Sequence, residues 1–144
     1  MSKKLLIAMI CLAGLFAAPV MAEQFEVHML NKGVKGGMVF EPDLIRAKPG
    51  DTVKFVPVDK GHNVEGIKGM LPDGVDAFKS KFNKEYVLSL KKEGIYGVKC
   101  TPHYGLGMVA VIAVGKPVNA DAAKAVKQHG KAKVRFDEIF AELK

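Results

Sequence analysis

Cys100, His103 and Met108 fall within nine consecutive positions of the segment VKCTPHYGLGMV, residues 98–109. Thiol, imidazole and thioether can share a hydrophobic core, or they can coordinate a soft metal ion as thiolate, neutral imidazole and weak sulfur donor. A thiol near an imidazole has a third use, as a nucleophile beside its base. The choice among the three depends on whether Cys100 has a partner thiol, on a fourth ligand, and on the elements that carry the segment.

The first 22 residues set the compartment. Lys3 and Lys4 precede an apolar run from Leu5 to Ala18, and Val20 and Ala22 stand at positions −3 and −1 of the expected cut. This is the pattern of a cleavable secretory signal peptide, and its apolar run is too short for a comfortable membrane span. Residues 23–144 are therefore expected to be exported as one soluble domain without membrane insertion. Cys11 leaves with the leader and Cys100 stays behind alone. Exported thiols are normally paired, so Cys100 is expected to be buried, metal-bound or catalytic.

Of the 22 basic residues, Lys3 and Lys4 belong to the leader, which leaves 20 against 15 acidic ones. Arg46 and Arg135 are the only arginines. Readers of bases and phosphates favour arginine forks, so a lysine excess argues against nucleic-acid readout and for solubility or a diffuse docking face.

Phe25, Val27 and Met29 alternate with Glu26 and His28, which reads as a strand with one wet face. Met38 to Ile45 reads as a strand interrupted at Pro42, and Thr52 to Val58 as another after the Lys48-Pro49-Gly50-Asp51 turn. Between residues 59 and 82 the pattern dissolves among Gly61, Gly66, Gly69, Pro72 and Gly74, a long connection with at most a short helical turn. Tyr86, Leu88 and Leu90 alternate again, then Tyr96, Val98 and Cys100 share one face of a strand, and Met108 to Val114 is a last, apolar strand. In the tail, Asn119 is placed to cap a helix reaching Gln128, with His129 near its C-terminal end and Gly130 stopping it. Phe136, Ile139, Phe140 and Leu143 form the apolar stripe of a second helix. Short strands with turns between them imply an antiparallel β-sandwich partly covered by two helices.

In that arrangement Cys100 ends one strand and Met108 begins the next, and the loop between them carries both sulfurs and His103 to one end of the sandwich. His28 lies on a strand's polar face and His129 at a helix end, so His62, in Gly61-His62-Asn63, is the best fourth ligand. Two imidazoles, a thiolate and a thioether suit copper with a weak axial methionine, whereas zinc prefers a further carboxylate, cysteine or histidine. Four filled positions leave none for substrate, which favours electron transfer over catalysis at the metal. A Cys100 nucleophile with His62 as base would need an orienting group and an oxyanion site, and neither is evident. A copper carrier that does not cycle is the other alternative. Met29, Met38 and Met70 have no ligand spacing and read as packing residues.

The loop CTPHYGLGM with Gly-His-Asn upstream resembles the type 1 blue copper site of the cupredoxin family. Plastocyanins are similar in this spacing. The opening strand EQFEVHMLNKG, the run Met38 to Pro42 and the two C-terminal helices make residues 23–144 more similar to the pseudoazurin branch. The resemblance implies a cupredoxin-like Greek-key β-sandwich of about seven to eight strands with two C-terminal α-helices, one copper ion and no enzymatic activity. It implies that His62 and His103 bind through Nδ1, Cys100 as thiolate and Met108 as a long axial ligand, with the Asn63 backbone N–H donated to the Cys100 sulfur. It further implies an electron port at the edge of His103, ringed by Lys32, Lys60, Lys79, Lys99 and Lys131. The expected role is that of a monomeric periplasmic electron carrier. Its expected partners are acidic redox proteins such as copper nitrite reductase or nitrous oxide reductase.

Overall fold

The computed structural model describes residue 14 and residues 16–144, so most of the expected leader lies outside the described residues. Eight strands follow in the order β1 (Gln24–Gly33), β2 (Gly36–Glu41), β3 (Leu44–Ala47), β4 (Thr52–Pro57), β5 (Glu65–Gly66), β6 (Tyr86–Ser89), β7 (Gly94–Lys99) and β8 (Val109–Val114). Two helices, α1 (Ala120–Ala125) and α2 (Gly130–Glu142), close the chain. The strands form two four-stranded sheets, in the orders β2-β1-β4-β6 and β3-β8-β7-β5.

The run from Met38 to Ile45, expected as one interrupted strand, is two strands in different sheets. The chain changes sheet around Pro42, which has no N–H with which to continue a ladder. Neighbours such as β1–β2 and β7–β8 pair antiparallel, but β1 lies parallel to β4 and β3 parallel to β8. The sandwich is thus mixed rather than antiparallel. Its parallel pairs join strands brought together by crossings between the sheets, which need long connections rather than hairpins.

Strand β8 is buried at all six positions. Ala110, Ile112 and Val114 pack between the sheets with Val27, Met29, Phe55 and Val98. Val109, Val111 and Ala113 face the other way, onto Ala132, Phe136 and Ile139 of α2. Burial on both faces explains why this strand reads as an uninterrupted apolar run. Each large α2 side chain covered in this way contributes about 1.5–3 kcal/mol of burial. The stripe expected for the second helix is present, with Phe136 and Ile139 buried and Phe140 and Leu143 partly so. Lys35 ties α2 to the strands, its Nζ lying 2.9 Å from Asp43 and 3.0 Å from Glu142.

The first helix is shorter than its sequence suggests. Asn119 makes no side-chain cap; instead its Oδ1 accepts the Ile95 N–H at 2.6 Å and its Nδ2 donates to the Ile95 carbonyl at 2.9 Å. This holds the chain leaving β8 against the start of β7. Gly130 opens α2 rather than stopping α1, and His129 occupies the N-cap position of α2 instead of a helix C-terminus. The turn into β7 is closed by Tyr96, whose hydroxyl donates to the Lys92 carbonyl at 2.8 Å.

Candidate metal centre

Cys100 continues the inward face of β7 set by Tyr96 and Val98, and both Cys100 and Met108 are fully buried in the core between the sheets. The segment joining them closes on itself. The Cys100 N–H donates to the Met108 carbonyl at 3.0 Å, the Met108 N–H to the His103 carbonyl at 3.2 Å, and the His103 N–H to the Cys100 carbonyl at 3.2 Å. A single 3-10 turn, Tyr104–Leu106, leads to Gly107 at φ +89°. That conformation favours glycine, and a Cβ there would also come within 3.3 Å of Lys131 at the start of α2.

His62 arrives from the long connection after β4 and is also fully buried. Asn83 holds its loop: the Asn83 side chain accepts the Gly61 N–H at 2.6 Å, and the Asn83 N–H donates to the His62 carbonyl at 3.0 Å. On the ring, Nε2 lies 2.9 Å from Oδ1 of Asn31. A carbonyl oxygen only accepts, so the ring proton sits on Nε2 and the Nδ1 lone pair faces the other side. Burial first, and then the proximity of His103, hold His62 below the usual imidazole range, in the neutral form that binds metals.

On that side Nδ1 of His62 lies 3.1 Å from Nδ1 of His103, and Sγ of Cys100 lies 3.8 Å and 3.6 Å from these two nitrogens. Nitrogen and sulfur donors sharing one first-row ion at about 2.0–2.3 Å must stand about 3–4 Å from one another. The three separations meet that requirement, and the buried thioether of Met108 belongs to the same packed cluster as Cys100. The donor set of two imidazoles, thiolate and thioether is that of a type 1 copper site. Burial pushes the Cys100 thiol up, and the backbone N–H groups of Asn63 and His103, which hydrogen-bond the sulfur, oppose that rise. A metal bound here displaces the thiol proton and the same N–H groups then stabilise the thiolate.

Asn63 also works through its side chain. Its Oδ1 accepts the Thr101 N–H and its Nδ2 donates to the Thr101 hydroxyl, each at 2.8 Å. The residue after His62 is thereby clamped to the residue after Cys100.

Residues 27–115 match the family described as copper binding proteins, plastocyanin/azurin family. A pseudoazurin of Paracoccus pantotrophus is 56% identical over 128 residues, 88% of each chain. The chain belongs to this family, in its pseudoazurin group. The crystal structure of pseudoazurin from Methylobacterium extorquens AM1 superposes with a TM-score of 0.82 at 52% identity, covering 84% of this chain and 99% of that one. A plastocyanin of Lactuca sativa is 34% identical but matches only 55% of this chain. Pseudoazurins are copper-binding electron carriers of the cupredoxin fold rather than enzymes, and the eight strands with two terminal helices found here have that architecture.

Of the residues expected from the sequence, His62, Cys100 and His103 come together in one cluster. Lys32, Lys60, Lys79 and Lys131 are exposed, and Lys99 is partly buried with its Nζ 5.5 Å from the centre of the Tyr104 ring. Met29 and Met70 are fully buried in packing positions, as expected, and Met38 packs at the core's edge. Three residues of the site carry no motif signal in the sequence: Asn31, Asn83, and Glu65, whose Oε2 accepts the Thr101 hydroxyl at 2.7 Å. Asn31 reads as a turn residue in Asn31-Lys32-Gly33, whereas β1 runs through it to Gly33. Asn83 at φ +60° has a local signal, since asparagine tolerates this region better than most residues.

Proposed function

We propose that His62, Cys100, His103 and Met108 hold one copper ion and that the protein carries single electrons between redox partners in the periplasm. The observation that carries this reading is the cluster in which two imidazole nitrogens and a thiol sulfur face one another over 3.1–3.8 Å. Copper held by this donor set supplies a Cu(I)/Cu(II) couple. Asn31 fixes the tautomer of His62, the Asn63 and His103 amides carry charge from the sulfur, and the core of Met29, Phe55 and Met108 keeps water away. His103 is partly exposed where His62 and Cys100 are not, so its ring edge is the route by which an electron leaves.

Export by cleavage after Ala22 is supported by the leader pattern, and residues 16–23 lie outside the sheets and helices. Among the described residues no helix is long and apolar enough to cross a membrane. Lys32, Lys60, Lys79, Lys99 and Lys131 form the basic ring that meets an acidic partner. A monomeric donor to copper nitrite reductase or nitrous oxide reductase fits these features.

The copper-loaded protein should be blue and should cycle reversibly in voltammetry, and Cys100→Ala should abolish the blue band. A colourless copper complex, or one that is not re-oxidised, would overturn the electron-transfer reading. The reduced protein should pass electrons to copper nitrite reductase at a rate that falls with ionic strength; no transfer to it or to nitrous oxide reductase removes the denitrification assignment.

A further inference from the structure

The clamp between Asn63 and Thr101 does not end inside the protein. The Thr101 hydroxyl, which accepts from Asn63, donates its own proton to Oε2 of Glu65 at 2.7 Å. The same Oε2 lies 3.8 Å from Nζ of Lys79, whose side chain is 53% exposed while that of Glu65 is only 26% exposed. A β-bridge pairs Glu65 with Lys79, and the β5–β7 register places Glu65 directly opposite Lys99. Glu65 is thus an acidic residue set between two members of the basic ring, and it touches the hydrogen bonds next to Cys100.

We propose that Glu65 is a positioning residue that links the basic docking face to the metal centre, so that contact of Lys79 with an acidic protein surface is felt at the Cys100 sulfur. The path runs through polar contacts from Lys79 Nζ to Glu65 Oε2, Thr101 Oγ1 and Asn63 Nδ2, and then through the bonds of Asn63 itself to its backbone N–H at Cys100. Because Lys79 and Thr101 share one carboxylate oxygen, a partner carboxylate that draws Lys79 away leaves that oxygen to Thr101 alone. Hydrogen bonds in such chains polarise one another, so a stronger bond to Glu65 makes the Thr101 hydroxyl a better acceptor for Asn63. Glu65 acts a second way, as a charge. It partly cancels the basic ring for an incoming acidic surface, and it favours the oxidised site, which carries one more positive charge than the reduced one.

This inference rests on the copper electron-carrier reading, and Glu65→Gln separates the two. Glutamine keeps a carbonyl oxygen for the Thr101 hydroxyl and loses only the charge. The copper-loaded variant should keep the wild-type blue absorption, show a higher reduction potential, and bind poly-L-glutamate several-fold more tightly at low salt. In the reduced wild-type protein, poly-L-glutamate should shift the amide NMR signals of Thr101 and Asn63 along with that of Lys79. In Glu65→Gln it should shift Lys79 and leave Thr101 and Asn63 in place. The linkage is overturned if the variant has the wild-type potential, or if Thr101 and Asn63 respond alike in both proteins. A wild-type protein that is not blue with copper would instead overturn the reading beneath it.

Discussion

Nε2 of His62 stands 2.9 Å from Oδ1 of Asn31, which places a residue of β1 in control of the nitrogen that a buried loop histidine turns toward Cys100. Without that acceptor the ring can exchange tautomers or rotate, and copper binding must then select the productive form. Outer partners of ligating histidines are worth about 10–100-fold in metal affinity. Asn31→Ala should therefore keep a blue copper complex but lose affinity in that range, measured by competition with a copper chelator. An unchanged affinity would show that the loop around Gly61 and Asn83 orients His62 without help.

Lys60 and Lys99 test the docking face. Lys60 is two residues from His62 and exposed, and Lys99 is adjacent to Cys100, its ammonium over the Tyr104 ring. Reversing both to glutamate should slow electron delivery to an acidic partner by about tenfold or more at low ionic strength. The difference should shrink toward 1 M salt, where the screening length contracts to about 3 Å. The absorption spectrum should not change. Equal rates in stopped-flow experiments at low salt would remove these two lysines from the encounter surface.

The sequence carries the local parts of this structure and little of the long-range ones. Alternation in Phe25–Met29 and Tyr96–Cys100 needs only neighbours, and the α2 stripe needs only a period, so both are legible. The direction in which β4 lies against β1 depends on residues some 28 positions apart, such as Gln24 and Thr52, and no local pattern records it. Cys100, His103 and Met108 could be found because one loop carries them, and His62 because its rivals had other places. Asn31 and Glu65 could not, because each acts through a contact made by folding, and the asparagine type of Asn83 hints at its turn but not at its bond to the Gly61 N–H. Asn119 shows the opposite error: its type suits a helix cap, but the Ile95 backbone offered it two hydrogen bonds at once.

Gly97, on β7 three residues before Cys100, marks a close approach. A Cβ there would lie 2.6 Å from Cε and 2.7 Å from Cβ of Met70, which is itself fully buried. The backbones are also joined, with the Gly97 N–H donating to the Met70 carbonyl at 2.7 Å and the Ile67 N–H to the Gly97 carbonyl at 2.9 Å. Neither side can retreat without breaking these bonds. Gly97→Ala should cost about 1–3 kcal/mol, the usual penalty of overpacking, read as a lower urea midpoint with the blue spectrum retained. A variant as stable as the parent would mean that the 67–70 segment is free to move.

Asp51 supplies a pH dependence remote from the metal. Its Oδ1 accepts from the Glu23 nitrogen at 2.9 Å, which becomes the α-ammonium of a chain cut after Ala22, and its Oδ2 accepts the Lys48 N–H at 2.8 Å, which fastens the start of the domain to the turn before β4. These two bonds, that from Glu23 first, hold the carboxyl below its ordinary value of 3.8. A folded-state value below the unfolded one means that the unfolded chain takes up the proton first as acid is added. The stabilisation is therefore complete above about pH 4 and is lost as pH falls through the lowered folded value. Asp51→Asn cannot offer two anionic acceptors, so it should be less stable than the parent by a constant amount between pH 5 and pH 7, where the parent carboxyl, about one unit or more above its ordinary value, is ionised in both folded and unfolded chains. Below pH 4 the gap should close, since the protonated parent has also lost its carboxylate. Urea unfolding of both proteins across this range measures the gap directly. A difference that stays constant into acid would show that the charge on Asp51 adds nothing to its hydrogen bonds.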